Sequence, residues 1–271
     1  PLLTSTRGAG RLFMEAVNIG SRKIILTIGG SATVDGGTGF ARALGYQFLD
    51  SQGHEVPEGG HGLLNVARIV FPDQKPWHDI DVVVACDVDN PLLGTTGAAH
   101  VFGPQKGADP EMVETLDRAL GCLHNVLSEQ HGIDMATIPG AGAAGGLGGG
   151  LTAFCDARLL PGVDIVMDMV DLREAVDGAD LVITGEGRTD SQTAHGKVCT
   201  GVAREARQAG IPCIVLSGAV SGSLLAFKEV GISAAFSVSP RPQTLEEAYA
   251  DAENQIVEAT ANIVALFQAG R

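Results

Sequence analysis

Beyond about residue 160 the chain alternates regularly between short apolar runs and longer amphipathic ones, and this rhythm limits the folds open to it. Residues 181–183, 213–216 and 234–238 read as strands; 198–207, 224–230 and a long terminal stretch, 245–267, read as helices. Such alternation predicts a parallel sheet with helices on both faces. The first part is more mixed. Residues 11–18 suit a helix with apolar Leu12, Phe13, Ala16 and Val17, and Ile-rich 23–28 suits a buried strand. A second helix is expected around 40–44 and a second strong strand at 81–85. The runs 46–50 and 54–56 flank Ser51-Gln52-Gly53, which has the pattern of a hairpin. Asp109-Pro110-Glu111 opens a long helix, with Asp109 as N-cap and Pro110 at the first helical position. Met112, Leu116, Leu120, Leu123 and Leu127 form its apolar stripe. Residues 139–150 are rich in Gly and Ala but too apolar for a solvated linker. The change of rhythm falls near 154–161, and 271 residues suffice for about two domains.

Composition narrows the function. With 45% hydrophobic and 18% charged residues, the chain folds and can bury a substantial core. A net charge of −14 leaves no electrostatic footprint for a nucleic-acid backbone, although a few local cations can still hold a nucleotide. Cys86, Cys122, Cys155, Cys199 and Cys213 are scattered, without C-x-x-C spacing, which argues against structural zinc or a disulfide framework and suits a reducing cytoplasm. No apolar run approaches the length of a membrane span and no signal-peptide pattern is visible. The chain begins at Pro1, not at Met.

The polar residues of interest follow the apolar runs. Leu181-Val182-Ile183 leads into Thr184-Gly185-Glu186-Gly187-Arg188-Thr189-Asp190, expected to be a Gly-rich loop. Ligands of open α/β sheets sit beyond the carboxyl ends of strands, where two acids can hold Mg²⁺ or accept a proton and an Arg can neutralise phosphate. Gly29-Gly30-Ser31-Ala32-Thr33-Val34-Asp35-Gly36-Gly37 follows another strand, an order that offers backbone N–H groups to an anion. Cys86-Asp87-Val88-Asp89-Asn90-Pro91 follows a third. Lys106 and Lys197 stand in Gly-containing loops, and His195 precedes Gly196-Lys197. Each loop taken alone also suits a polar turn with solvated charges. Gly140-Ala141-Gly142-Ala143-Ala144-Gly145 matches G-x-G-x-x-G, but it follows a poor strand and is a weak dinucleotide signal. There is no P-loop, H-E-x-x-H or G-x-S-x-G. Acids, glycine loops and a few cations together favour phosphoryl transfer.

Four stretches in this order resemble the class I glycerate kinase family: 28–37, 85–94, 101–108 and 181–197. The tract Pro139-Gly140-Ala141-Gly142-Ala143-Ala144-Gly145-Gly146-Leu147 is also similar to that family. The resemblance runs from Thr4 to the terminal helix. It implies ATP-dependent, Mg²⁺-assisted phosphorylation of D-glycerate, typically at the 2-hydroxyl. It also implies a flavodoxin-like α/β domain carrying an inserted α/β domain, here the insert at 1–157 and the C-terminal part of the flavodoxin-like domain at 158–271. The family pattern includes an amino-terminal strand with a D-S-F-K-G-type loop and a G-G-E-G-type motif. Neither occurs here, so the 271 residues alone are expected to fold but to turn over glycerate poorly. Val34 stands where the family commonly has Asn.

On this resemblance Asp190 is the expected base or hydroxyl-orienting group, with Arg188 beside it as a second catalytic residue. Ser31, Thr33, Lys106, Lys197 and the backbone of Gly29 and Gly30 are expected to bind phosphate or the glycerate carboxylate. Asp87, Asp89 and Glu186 are expected near a shared cleft, with at least one contacting Mg²⁺ directly or through water; all three together are not expected, because Mg²⁺ usually takes only one or two carboxylates. ATP and D-glycerate are the expected partners, without nucleic acid or membrane, and a homodimer is a possible assembly. A kinase for another small hydroxy acid and a non-catalytic fragment are the competing readings.

Overall fold

The structure is a computed structural model that describes residues 1–190 and 198–270. The chain divides into two compact units, Pro1–Pro161 and Gly162–Arg271. Both are α/β, and their principal sheets are parallel.

The first unit runs α1 (Arg7–Asn18), β1 (Lys23–Thr27), α2 (Thr38–Ala43), β2 (Gln47–Leu49), β3 (Arg68–Val70), β4 (Asp81–Ala85), α3 (Ala98–Phe102), α4 (Pro110–His131), α5 (Ala143–Cys155) and β5 (Arg158–Leu160). Strands β1, β4 and β5 form a parallel sheet in that order, with Lys23 opposite Asp81 and Val83 opposite Arg158. Phe13 and Val17 of α1 face the core, whereas Leu12 is exposed. Gly10 lets α1 lie on α2: a Cβ there would sit 2.5 Å from the Phe40 carbonyl oxygen. The expected hairpin is cut short. The turn at 50–54 closes through one bridge, Leu49 to Glu55, and β2 pairs antiparallel with β3 instead. Three residues of β2 gain more by laying Phe48 on the core opposite Ile69 than by extending a polar arm.

Helix α4 starts as its sequence indicates, with the Asp109 carboxylate accepting from the Met112 amide at 2.8 Å. Its buried stripe is Val113, Leu116, Ala119, Leu120, Leu123 and Leu127; Met112 is only half-buried. The Gly/Ala tract feeds α5, a core helix interrupted by left-handed backbone at Ala144, Gly145 and Gly146. These glycines bring backbones together. A Cβ at Gly145 would overlap the Thr33 carbonyl oxygen, one at Gly142 the Pro91 carbonyl oxygen, and one at Gly150 the Gly36 carbonyl oxygen. The G-x-G-x-x-G match therefore reflects internal packing. Tyr46, Trp77 and Phe154 pack in the core, and the Tyr46 hydroxyl donates to the Phe154 carbonyl at 2.6 Å.

The second unit runs α6 (Gly162–Met169), α7 (Leu172–Val176), β6 (Val182–Thr189), α8 (Val198–Gln208), β7 (Cys213–Val220), α9 (Leu224–Glu229), β8 (Ala234–Ser237), α10 (Leu245–Ala250) and α11 (Ala252–Ala269). Its parallel sheet has the order β6-β7-β8. Successive residues of β7 point to opposite faces. Cys213 and Val215 pack with Val176, Cys199, Ala203 and Phe227, while Ile214 and Leu216 pack with Ile263 of α11. Helices thus cover both faces.

Two sequence expectations fail in this unit. Residues 184–189 are not a loop: they continue β6, which pairs with β7 as far as Thr189 opposite Val220. Their glycines and charges read as a loop, but ladder hydrogen bonding to β7 carries them as strand. The terminal helix is two helices. Asp251 leaves helical geometry at φ −118°, and Thr244 with Glu247 builds a capping box at the start of α10. Apolar periodicity continues across Asp251 and conceals the break.

Candidate active site

In the first unit a cleft of about 690 Å³ opens at the carboxyl ends of β1 and β4. Thr27, Gly29, Gly30 and Ser31 form one wall and Ala85, Cys86, Asp87 and Val88 another; Phe102, Gln105, Lys106 and the α5 start close it. Added Cβ atoms at Gly29 and Gly30 would meet nothing within 4 Å, so the backbone there is open to a ligand. Gly30 has φ +69°, which other residues adopt only with strain.

Lys106 is the cation of this cleft. It ends a short 3-10 turn, Pro104–Lys106, and its Nζ donates to Ser31 Oγ at 2.8 Å and to the Thr33 carbonyl at 2.7 Å. Burial pushes its ammonium down to about 8, against an opposing pull from Asp35. The Thr33 hydroxyl oxygen is buried and has no hydrogen-bond partner among the described residues. Val34 is fully buried, so the side chain at this position belongs to the core.

Sequence reasoning quoted Asp35 within its motif but gave it no role. It is fully buried. Its carboxylate accepts from the Thr6 amide and hydroxyl at 2.8 Å each, from the Gly37 amide at 3.1 Å and from the Gly39 amide at 3.2 Å. Burial pushes its pKa above the usual carboxylate value, and these four donors offset that only in part. The signal was local: an acid immediately before Gly-Gly at the start of a helix is an N-terminal capping arrangement.

In the second unit Glu186 stands half-buried on β6, opposite Ser217 on β7. The buried Thr189 hydroxyl donates to Glu186 Oε1 at 2.9 Å and lies 2.5 Å from Ser217 Oγ, so Ser217 is the donor in that second contact. Glu186, Thr184, Ser217 and Gly218 line a pocket of about 390 Å³ closed by Val238, Ile256 and Thr260. Ser217 and Thr189 were not anticipated, because hydroxyl residues inside a strand carry no motif. Arg188 is exposed and its Nε lies 3.1 Å from Asp190 Oδ2, just past the end of β6.

The first unit therefore brings Gly29, Gly30, Ser31, Lys106 and Asp87 to one cleft, with Thr33 held behind Lys106. Asp89 is exposed and does not line that cleft. Glu186, Arg188 and Asp190 belong to the second unit, with Glu186 in its pocket. Lys197 and His195 lie outside the described residues. Among the described residues no three His, Cys, Asp or Glu side chains group as a metal cage. Single carboxylates such as Asp87 and Glu186 nevertheless suit Mg²⁺, which keeps most of its waters. No helix among the described residues is long and apolar enough to cross a membrane.

Comparison with known proteins places the chain in a family. The sequence profile of the glycerate kinase family matches residues 1–268. A glycerate kinase of Halalkalibacterium halodurans is 47% identical over 264 residues, covering 97% of this chain and 70% of that protein. Glycerate 2-kinase of Escherichia coli K12 is 42% identical over 271 residues, covering 100% of this chain and 71% of that one. A crystal structure assigned to glycerate kinase 2 of Salmonella typhimurium LT2 superposes with a TM-score of 0.82 at 44% identity, over 100% of this chain and 71% of that one. The chain belongs to the glycerate kinase family and is an enzyme, a kinase.

Proposed function

We propose that the protein transfers the γ-phosphoryl group of ATP to the 2-hydroxyl of D-glycerate, giving 2-phosphoglycerate, ADP and a proton. The observation that carries this reading is Lys106. It is a half-buried ammonium held by Ser31 Oγ and the Thr33 carbonyl, beside the open Gly29-Gly30 backbone, in a chain of this family. Lys106, Ser31, Thr33 and the backbone of Gly29 and Gly30 bind an anionic group of the substrates, and Lys197 adds a second cation. Asp190 accepts a hydrogen bond from the attacking hydroxyl, oriented by its ion pair with Arg188. Such a group in a kinase serves mainly to position the hydroxyl. Asp87, Asp89 and Glu186 are the carboxylates available to Mg²⁺, which supplies charge neutralisation on the phosphates when bound.

The same reading assigns 158–271 to the C-terminal part of a flavodoxin-like domain and 1–157 to an insert; the parallel β6-β7-β8 sheet with helices on both faces supports it. Five free thiols suit a cytoplasmic enzyme. The test is a coupled ADP-release assay with ATP, Mg²⁺ and D-glycerate, with the product examined by phosphorus NMR. 2-Phosphoglycerate is expected. 3-Phosphoglycerate would refute the regiochemistry. ADP release with other hydroxy acids but not with D-glycerate would refute the substrate.

A further inference from the structure

We propose that Asp35 is the positioning residue for Lys106: the buried carboxylate and the lysine grip loop 29–37 from its two ends and hold the lysine ammonium toward a bound anion. The inference rests on the reading of Lys106 as an anion contact.

The geometry is that of a double clamp. Lys106 Nζ binds Ser31 Oγ and the Thr33 carbonyl, at the front of the loop. Two residues on, Asp35 binds the Gly37 and Gly39 amides at its back and ties them to Thr6, whose hydroxyl accepts from the Phe40 amide at 2.8 Å. The stretch between is tied to α5 as well, because Gly36 donates to the Gly145 carbonyl at 3.1 Å. A fully buried carboxylate is costly to keep, and its four buried donors offset part of that cost. What the buried position adds is a negative charge acting on Lys106 through the protein interior, where Coulomb interactions are strong. The other titratable groups of this cleft, Cys86 and Asp87, come from the end of β4 on its far wall. The sign is definite. Burial favours the neutral amine, Asp35 favours the ammonium, and only the ammonium attracts an anion.

The test uses the full chain with carbon-13 at the lysine Cε positions, titrated from pH 6.5 to 11 by NMR. Of the five lysines, the signal missing in Lys106→Met is Lys106. It is expected to titrate near 8 in the parent protein and at lower pH in Asp35→Asn. The KM for the ligand that Lys106 binds should rise at correspondingly lower pH in Asp35→Asn. An unchanged Lys106 titration in folded Asp35→Asn overturns the proposal. If Asp35→Asn does not fold, the reciprocal measurement decides. Coupling between two charges is mutual, so the Asp35 carboxyl carbon must titrate higher in Lys106→Met than in the parent. Identical Asp35 titrations overturn the proposal as well. If Lys106→Met binds both D-glycerate and ATP as the parent does, the anion role of Lys106 itself is wrong, and that failure is distinct from failure of the clamp.

Discussion

Lys106 holds its charge where a lysine does so reluctantly, and it gives up full hydration for two oxygen acceptors and a buried carboxylate nearby. Such a group is useful if a ligand completes its shell. Lys106→Met should raise the KM of one anionic substrate roughly ten- to a hundredfold at pH 7, the range for loss of a charge-assisted hydrogen bond, and should do so less at pH 9.5. Steady-state kinetics at both pH values checks this. Asp190 calls for a different signature. Asp190→Asn keeps the shape beside Arg188 but weakens acceptance of the hydroxyl proton, so kcat should fall by about a hundredfold or more while KM for D-glycerate changes little. Near-normal kcat would remove Asp190 from the chemistry. Arg188→Lys tests its neighbour: a point charge cannot reproduce the guanidinium fork, and a measurable rise in KM for D-glycerate or ATP is expected.

At the scale of elements, the first cleft depends on how closely α5 lies against the loop after β1. Gly150 stands against Gly36 and Gly37 with no room for a side chain, and Gly145 meets Thr33 in the same way. Gly150→Ala would strengthen helix propensity in isolation, yet here it drives a methyl group into the Gly36 carbonyl. A loss of about 1–3 kcal/mol is expected from the urea midpoint. Weaker substrate binding should accompany it, because the displaced loop carries Ser31 and Thr33. In the second unit the continuation of β6 to Thr189 has its own consequence. Pairing with β7 fixes Glu186 opposite Ser217 and leaves Asp190 as the first residue past the strand. Rigid strand thus carries groups that a loop would leave loosely placed.

For the molecule as a whole, alkaline pH sets opposing trends in the first unit. Burial holds the Tyr46 hydroxyl and the Cys155 thiol neutral well above their ordinary range, with Cys155 pushed up to about 12. The unfolded chain loses those protons first, so the stability they contribute is present below about pH 9 and is lost as pH rises beyond it. Lys106 acts the other way. Its folded value of about 8 lies below its ordinary one, the unfolded chain binds the extra proton, and its burial penalty fades between pH 8 and about 10.5. Trp77 is the one tryptophan, is buried, and lies 6.4 Å from the Tyr46 ring, so its fluorescence follows this unit. The urea midpoint should fall between pH 9 and 11, and less steeply in Cys155→Ala. A midpoint that rises over that range would contradict the assignment.

The alternation after residue 160, the apolar runs of β1 and β4, and the Asp109-Pro110 start of α4 were legible in the chain because each follows from local periodicity or a local cap. The loops at 29–37 and 86–91 were legible as loops after strands, but that they meet Lys106 in one cleft was not. Four further things were not legible. Residues 184–189 look like loop until a neighbouring strand supplies their hydrogen bonds. β2 chooses β3 over its sequence neighbour because of what Phe48 and Ile69 bury. The Gly/Ala tract resembles a nucleotide fingerprint until the backbones it lets approach are in place. Asp35 reads as one more loop acid until the tertiary structure buries it among the Thr6, Gly37 and Gly39 donors. Periodicity and caps act over a few residues and are written in the sequence. Partners, burial and field come from residues distant along the chain, and only the tertiary structure supplies them.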